Sequence, residues 1–340
     1  MSDPRSDHWS RREFLSTAAF AGAGALFGWQ SDGIAAEPPP ETTKLRIGHV
    51  GSACTAPQFI AEDLLRAEGF TDIQYIKARS VPERLKAVAA GETDLIQGTI
   101  LPTVMGLDSG DRVVILAGVH AGCYELFGTD RVRSIHDLKG RTVAVGALGA
   151  GDHAYIAIMA SYVGLDHRKD INWVVHPPAE SMRLLAQGKI DAFMAFPPDP
   201  QELRAKKIGH VVVNTVMDRP WSQYFCCMVV GNREFVRKNP VATKRALRAM
   251  LKGTEICALE PDRVARFVVD KGYTPRYDYA RQTLKELPYG KWREYDAEDT
   301  VRFCALRLHE AGMIKSSPQK IIAQGTDWRF IRALKKELKA

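Results

Sequence analysis

One piece of punctuation, Gly-x-x-Asp at the joint between a helical and an apolar segment, constrains this chain more than any other feature. Arg84-Leu85 opens a helical run that stops at Gly91, and Asp94 leads into Leu95-Ile96. Arg183-Leu184 opens a second run that stops at Gly188, and Asp191 leads into Ala192-Phe193. Glycine supplies the left-handed cap that ends a helix. A short apolar run after it suits a strand buried on both faces. Helix, cap and buried strand in this order form one joint of a parallel β-α-β unit. The joint occurs once in each half of the chain, which predicts two lobes of like construction.

The intervening segments fill in the same scheme. Strands are expected at 45–50, 73–77, 94–97 and 113–118. Helices are expected at 57–68 and from the capping box Ser80-Val81-Pro82-Glu83 to Gly91. A second series has strand 142–146, a glycine-rich loop, helix 152–163, strand 171–175, helix 180–187 and strand 191–194. After residue 230 the pattern turns mainly helical, broken at Pro240, Pro261, Gly272, Pro288, Gly312 and Pro318. The fold class is therefore α/β, with helices on both faces of each sheet and a helical C-terminal region. The 340 residues, 45% of them hydrophobic, suffice for one or two domains with a real core.

Residues 1–36 read as an address. Ser10-Arg11-Arg12-Glu13-Phe14-Leu15-Ser16 matches the twin-arginine export motif, an Ala/Gly-rich stretch follows, and Ile34-Ala35-Ala36 suits cleavage. The stretch is too short and glycine-rich to span a bilayer, which needs about 20 apolar residues. A cleaved signal and a periplasmic location are expected. The formal charge is +7, from 47 basic and 40 acidic residues. Nucleic-acid binding needs basic residues gathered on one face with stacking aromatics. The densest late run, Lys335-Lys336-Glu337-Leu338-Lys339, holds an acid and reads as a solvated helix face, so no nucleic-acid partner is expected. Cys54, Cys123, Cys226, Cys227, Cys257 and Cys304 have neither zinc-site spacing nor the density of a disulfide scaffold. They read as buried thiols, with Cys226 and Cys227 on opposite faces of a strand. His49, His120 and Cys123 lack a recognised ligand spacing, so neither metal nor cofactor is expected.

Several marks follow one another in a telling order. They are Ile47-Gly48, Ala56-Pro57, Ala90-Gly91-Glu92-Thr93-Asp94, the segment Ile135-His136-Asp137-Leu138-Lys139-Gly140-Arg141-Thr142-Val143-Ala144-Val145, Val163-Gly164-Leu165-Asp166, Gly188-Lys189-Ile190-Asp191-Ala192 and Phe196-Pro197. With them the chain resembles, over residues 45–260, the nitrate/sulfonate/taurine type of ABC-importer substrate-binding protein, whose fold is shared with thiamine-pyrimidine synthases. The resemblance implies a two-lobed periplasmic-binding-protein type II fold with mixed sheets. Residues 44–125 would begin lobe 1, 126–228 would form lobe 2, and 229–340 would return to lobe 1 and add C-terminal helices. Paired hinge strands are implied at 124–129 and 224–231, with a solute held between the lobes. An inner-membrane ABC permease with its ATPase is the implied partner, and a monomer the implied state.

Open α/β sheets bind ligands beyond the carboxyl ends of their strands. That rule selects Thr55 and Ala56 after the first strand, Gln97, Gly98 and Thr99 after the third, and Tyr124 and Glu125 at the passage to the second lobe. In the second lobe it selects Gly151, Asp152 and His153 at a helix start, and Phe196. Each has a plain structural alternative: Thr55 and Asp152 as helix caps, Gln97 and Thr99 as partners of loop backbone, His153 as a solvated first-turn residue, Phe196 as core. The loop 146–151 carries Gly-x-x-Gly-x-Gly with no Lys-Ser/Thr after it, which is not a nucleotide loop. Glu125 and Asp152 with Tyr124 suit a cationic or nitrogen-rich ring better than nitrate or sulfonate. The expected activity is non-covalent capture of a small polar organic solute for import, with no catalytic residues. The alternatives are an exported enzyme on the same fold, with pyrimidine or amine chemistry, and a ligand-sensing partner of a membrane receptor.

Overall fold

The computed structural model describes residues 37–338, and the export signal read in residues 1–36 lies outside them. The first of two five-stranded sheets has the order β2-β1-β3-β10-β4, from β1 (Lys44–His49), β2 (Asp72–Lys77), β3 (Leu95–Thr99), β4 (Val113–Ala121) and β10 (Phe225–Asn232). The second has the order β7-β6-β8-β5-β9, from β5 (Glu125–Gly128), β6 (Arg141–Val145), β7 (Ile171–Val175), β8 (Ala192–Ala195) and β9 (His210–Asn214). β1 runs parallel to β2 and β3, while β10 runs antiparallel between β3 and β4. β6 runs parallel to β7 and β8, while β5 runs antiparallel between β8 and β9. The two orders are one pattern. In each, the antiparallel strand is the one that has just crossed from the other sheet.

Helices in the first lobe are α1 (Ala56–Ile60), α2 (Glu62–Ala67), α3 (Val81–Ala90) and α4 (Ile100–Asp108). The second lobe has α5 (Gly151–Tyr162), α6 (Pro178–Ala186) and α7 (Asp199–Lys206). The helical region after β10 comprises α8 (Arg233–Lys238), α9 (Pro240–Leu259), α10 (Pro261–Asp270), α11 (Tyr277–Glu286), α12 (Ala297–Glu310), α13 (Pro318–Gly325) and α14 (Arg329–Glu337). Among the described residues no helix is long and apolar enough to cross a membrane.

Both sequence joints do the same mechanical work. Gly91 (φ 79°) and Gly188 (φ 65°) take the left-handed conformation that ends α3 and follows α6. The Asp94 carboxylate accepts from the Arg46 backbone N–H (2.7 Å) and the Arg46 guanidinium (2.6 Å). The Asp191 carboxylate accepts from the Thr142 N–H (2.9 Å) and pairs with Arg131 (2.7 Å). Each aspartate thus clamps the start of the neighbouring parallel strand, β1 or β6.

Three expectations change. The helix expected at 57–68 is broken at Ala61 (φ −76°, ψ 0°) into α1 and α2. The break lies where α9 passes: a Cβ on Gly253 would lie 3.2 Å from that of Ala61. Helix α4 was not foreseen, because Ile100, Leu101, Pro102, Thr103 and Val104 are all buried and leave no polar stripe to betray a helix. The strands expected to pair as a hinge lie in different sheets: β5 belongs to the second and β10 to the first. The crossings are residues 122–124 and 215–224. They are tied by Thr215, whose Oγ1 accepts from the backbone N–H of Cys123 (3.1 Å) and Tyr124 (3.0 Å), and whose N–H donates to the Tyr124 carbonyl (3.0 Å). One large apolar core runs from the first sheet through both crossings into α5, and a smaller one around Phe127, Leu185 and Phe193 lies at the second sheet.

Candidate functional site

The loops after β1 and β3 meet those after β6 and β8. Ser52 Oγ donates to the Pro197 carbonyl at 3.0 Å, and this bond is buried. Thr99, at the end of β3, lies against Gly151 at the start of α5. A Cβ on Gly151 would stand 3.3 Å from Thr99 Cγ2 and would collide with the Tyr124 hydroxyl. The Tyr124 ring lies 4.9 Å from that of Tyr155 and 5.1 Å from that of Phe196. Thr99, Tyr124, Gly151 and Phe196 are therefore brought together where the lobes touch.

The other expected residues have different surroundings. Thr55 Oγ1 donates to the Ser52 carbonyl at 2.9 Å, and Ala56 begins α1; both shape the loop after β1. Gln97 Nε2 donates to the Cys54 carbonyl at 2.8 Å, and its backbone N–H donates to Gln58 Oε1 at 3.1 Å. Its own Oε1 is buried without a partner. Gly98 sits inside β3, paired with Met228.

The two carboxylates expected to face a ligand are already engaged. Glu125 is buried against the guanidinium of Arg204, which also holds Glu286 of α11 at 2.7 Å. Burial pushes the Glu125 carboxyl above its usual range, against the pull of Arg204. Asp152 accepts from the backbone N–H of Gly146 and of His153 (2.9 Å), which fixes the glycine-rich loop. His153 Nδ1 accepts from the Gly149 N–H at 3.1 Å, and its ring meets Trp173 edge-on at 4.7 Å. Burial pushes this imidazole down to about 4, with His167 adding to the effect, so it is neutral near pH 7. Asp152 and His153 are committed to the loop, while two carboxylates, Glu125 and Glu286, share the single guanidinium of Arg204, and Glu125 Oε2 is buried without a partner.

Two charged groups here lack a partner among the described residues, the Asp199 carboxyl, which burial and Glu202 push up to about 7, and a guanidinium. Arg84 of α3 is only 3% exposed, and its Nε is buried without a hydrogen-bond partner. It forms no ion pair among the described residues. Burial disfavours its charged form, and the groups that couple to it are Cys227, Cys54 and Tyr124. On its other side, burial together with Lys77 and Arg84 pushes His49 down to about 4. Ser80 and Val81, at the start of the same helix, line a cavity of about 950 Å³ with His49, Gly51, Phe196 and Tyr273. His49 Nδ1, Thr93 Oγ1 and Gln97 Oε1 are further buried polar atoms without partners. The missed signal was local: Arg84 shares the inward face of α3 with Leu85 and Val88, where an arginine is out of place.

Beneath the cleft lies a second cluster. Cys54, His120 and Cys227 have their donor atoms within 4.8 Å of one another, as do Cys123, Cys226 and Cys227. The expectation that Cys226 and Cys227 face opposite ways fails because β10 is bulged there. Phe225 pairs with Ala121 and Cys227 with His120, so two steps on β10 match one on β4. A bulge breaks the alternation of side chains. Both sulfurs therefore reach one cluster. Hydrogen bonding from Cys123 holds the Cys227 thiol below its usual range, at about 6. His49 stands apart from them, among Phe59, Tyr75 and Tyr273.

Comparison with known proteins places this geometry. No curated protein matches the sequence. The periplasmic nitrate-binding protein NrtA from Synechocystis PCC 6803 is similar in structure, with a TM-score of 0.74 at 16% identity, covering 89% of this chain and 90% of that one. The alkanesulfonate-binding protein SsuA from Xanthomonas axonopodis pv. citri, bound to MOPS, gives 0.64 at 18% identity, covering 83% and 96%. A Candida albicans gene product described as having the generic periplasmic binding protein fold gives 0.68 at 14% identity, covering 84% and 96%. At these identities the likeness is one of fold, and it is the two-lobed periplasmic-binding-protein fold. The sequence also matches the model of the NMT1-like family over residues 38–268, and the chain belongs to that family.

Proposed function

We propose that this protein is the solute-binding component of an ABC importer, working in the periplasm, and that its solute is a small anion anchored by Arg84. The observation that carries the reading is the guanidinium itself: a cation buried at the lobe junction with no carboxylate to balance it. A buried charge is normally paired. Its planar fork matches carboxylate, sulfonate or nitrate oxygens through two parallel N–H bonds. His49 Nδ1, unpartnered on the wall of the cavity, can donate a further hydrogen bond to such an anion. Two of the similar structures are named for nitrate and alkanesulfonate binding, which agrees with an anion.

The cycle follows from the contacts between the lobes. Opening parts the Ser52–Pro197 bond, the Arg204–Glu286 ion pair and the Tyr124–Phe196 contact. A solute that touches both lobes binds the closed state more tightly than the open one and shifts the population toward it. The crossings tied at Thr215 are where the chain bends. The closed form then docks on its permease. Thr99, Tyr124, Gly151 and Phe196 take part in the closure, while Glu125, Asp152 and His153 hold the second lobe in shape.

Native mass spectrometry of the purified protein, followed by a thermal-shift panel of carboxylates, sulfonates, nitrate and amines, tests the reading. Stoichiometric binding of an anion is expected. Binding of amines alone would overturn the anion reading, and turnover of a compound without stoichiometric binding would overturn capture.

A further inference from the structure

We infer that Cys54, Cys123, Cys227 and His120 form a closed, four-ligand site for one thiophilic metal ion of the zinc(II) class at the base of the hinge. The four side chains come from three separate parts of the chain. Cys54 follows β1, His120 lies near the end of β4 with Cys123 in the first crossing, and Cys227 lies in β10 just after the second. All are 0–3% exposed. Cys227 belongs to both groups of donor atoms that lie within 4.8 Å of one another, and Cys54 interacts with Cys123 as well as with Cys227 and His120. Tetrahedral zinc with bonds of about 2.3 Å sets sulfurs about 3.8 Å apart. Within each trio a contraction of about an ångström or less gives that spacing, and Cys123, which joins the first trio through Cys227, closes a longer gap.

The orientation of His120 suits this reading. Its Nδ1 lies 3.0 Å from the Gly122 carbonyl, an arrangement that suits an Nδ1–H donor and leaves Nε2 with the lone pair. Nε2 is buried and has no hydrogen-bond partner. Imidazoles that bind metals are oriented in this way, one nitrogen donating to a backbone carbonyl and the other directed at the ion. A metal ion satisfies Nε2, as an S–H of Cys54 or Cys227 would in a metal-free cluster, and the metal analysis separates the two.

The donor set selects the metal. Three sulfurs and an imidazole nitrogen, with no carboxylate, suit zinc and other thiophilic ions and exclude calcium or magnesium. Four protein ligands leave no open position for a substrate, so the site is structural. Loading releases the thiol protons to solvent as the thiolates bind. The ion would staple the β1 loop to both crossings and so stiffen the pivot on which the lobes turn. The buried donors require the ion to enter before the fold closes, and the twin-arginine motif suits export of a chain folded around it.

The test is metal analysis of the full exported protein purified without chelator. About one zinc per chain is expected, retained on dialysis, and falling at least about tenfold in Cys227→Ser while Cys304→Ser keeps it. Should Cys227→Ser fail to fold, cobalt(II) added during refolding of the wild type serves instead. Intense thiolate-to-cobalt charge-transfer bands support the site. Absence of both zinc and cobalt binding, or a Cys54–Cys227 or Cys123–Cys226 disulfide in non-reduced peptides, overturns it. Solute binding by the thermal-shift panel is read separately, so loss of the metal reading leaves the import reading standing, and the reverse.

Discussion

Arg84→Met separates a ligand anchor from a structural cation, because the two predict opposite signs. Methionine keeps much of the stem volume of arginine and removes the charge. Burying an ion costs several kcal/mol, and here no carboxylate offsets it. The solute-free variant should therefore gain about 2–4 kcal/mol of stability. Unfolding entropy of about 2.1 cal/mol/K per residue over about 300 folded residues turns that into a rise of about 3–6 °C in Tm. Solute binding should move the other way. Removing one partner of a buried, hydrogen-bonded charge pair costs about 2–5 kcal/mol, which is about a 30- to 5,000-fold loss of affinity. Urea denaturation followed by tryptophan fluorescence reads the first quantity, and calorimetry with the tightest anion of the panel reads the second. Arg183→Met is the control: that arginine is half exposed and paired with Glu180 at 2.6 Å, so its loss should stay within about 0.5 kcal/mol and leave binding unchanged. A destabilised Arg84→Met that binds like the wild type would refute the reasoning, since it would show that the guanidinium serves the fold.

Ser52→Ala removes a bond made only when the lobes meet, worth about 0.5–1.5 kcal/mol, so affinity should fall about 2- to 12-fold, and it also removes the cap that accepts from the Cys54 N–H, so the free protein should lose about 0.5–2 kcal/mol; unchanged affinity by calorimetry would show that the Pro197 contact is idle in closure. Gly151→Val places a branched side chain against Thr99 and Tyr124. Small-angle scattering should show a larger radius of gyration, and the solute-induced thermal shift should vanish while circular dichroism keeps its helical signal; a closed variant that still binds counts against this contact. The folded-state value of about 4 for His153 lies below the usual histidine range, so the unfolded chain takes up the proton first as pH falls. Its contribution is thus present above about pH 6.5 and lost toward pH 4. Urea midpoints of wild type and His153→Gln should converge over that window, and a pH-independent difference would contradict the burial argument.

The fold was legible in the sequence wherever it depended on local chemistry. Gly91 and Gly188 were readable because only glycine takes a left-handed cap at no steric cost, and Asp94 and Asp191 because each precedes a buried strand. What the sequence could not display was pairing across long separations. β10 joins strands more than a hundred residues upstream, and nothing local in residues 225–232 says which sheet receives them. Hence the hinge was placed on β5 and β10, when the backbone contact between crossings is made by Tyr124 and Thr215. α4 escaped for a related reason: a helix buried on all sides has no periodicity to read.

At the candidate site the differences between sequence and surroundings share one physical origin. Sequence order locates a charged residue at a strand end, but its counter-charge comes from elsewhere. Glu125 looked free because Arg204 and Glu286 lie 79 and 161 positions away. The helical spacing of Arg84 with Leu85 and Val88 shows that it faces inward, but the absence of a partner is a property of the folded surroundings. The proposed ligand charge is the opposite of the expected one because Glu125 lies against Arg204, Asp152 caps a loop, and Arg84 is buried without a counter-charge. The bulge in β10 acts in the same way on the thiols, since a single extra residue brings Cys226 and Cys227 to one cluster that strict alternation would have split. In both cases the residue types were visible in the chain, and what the fold added was which of them are left without a partner.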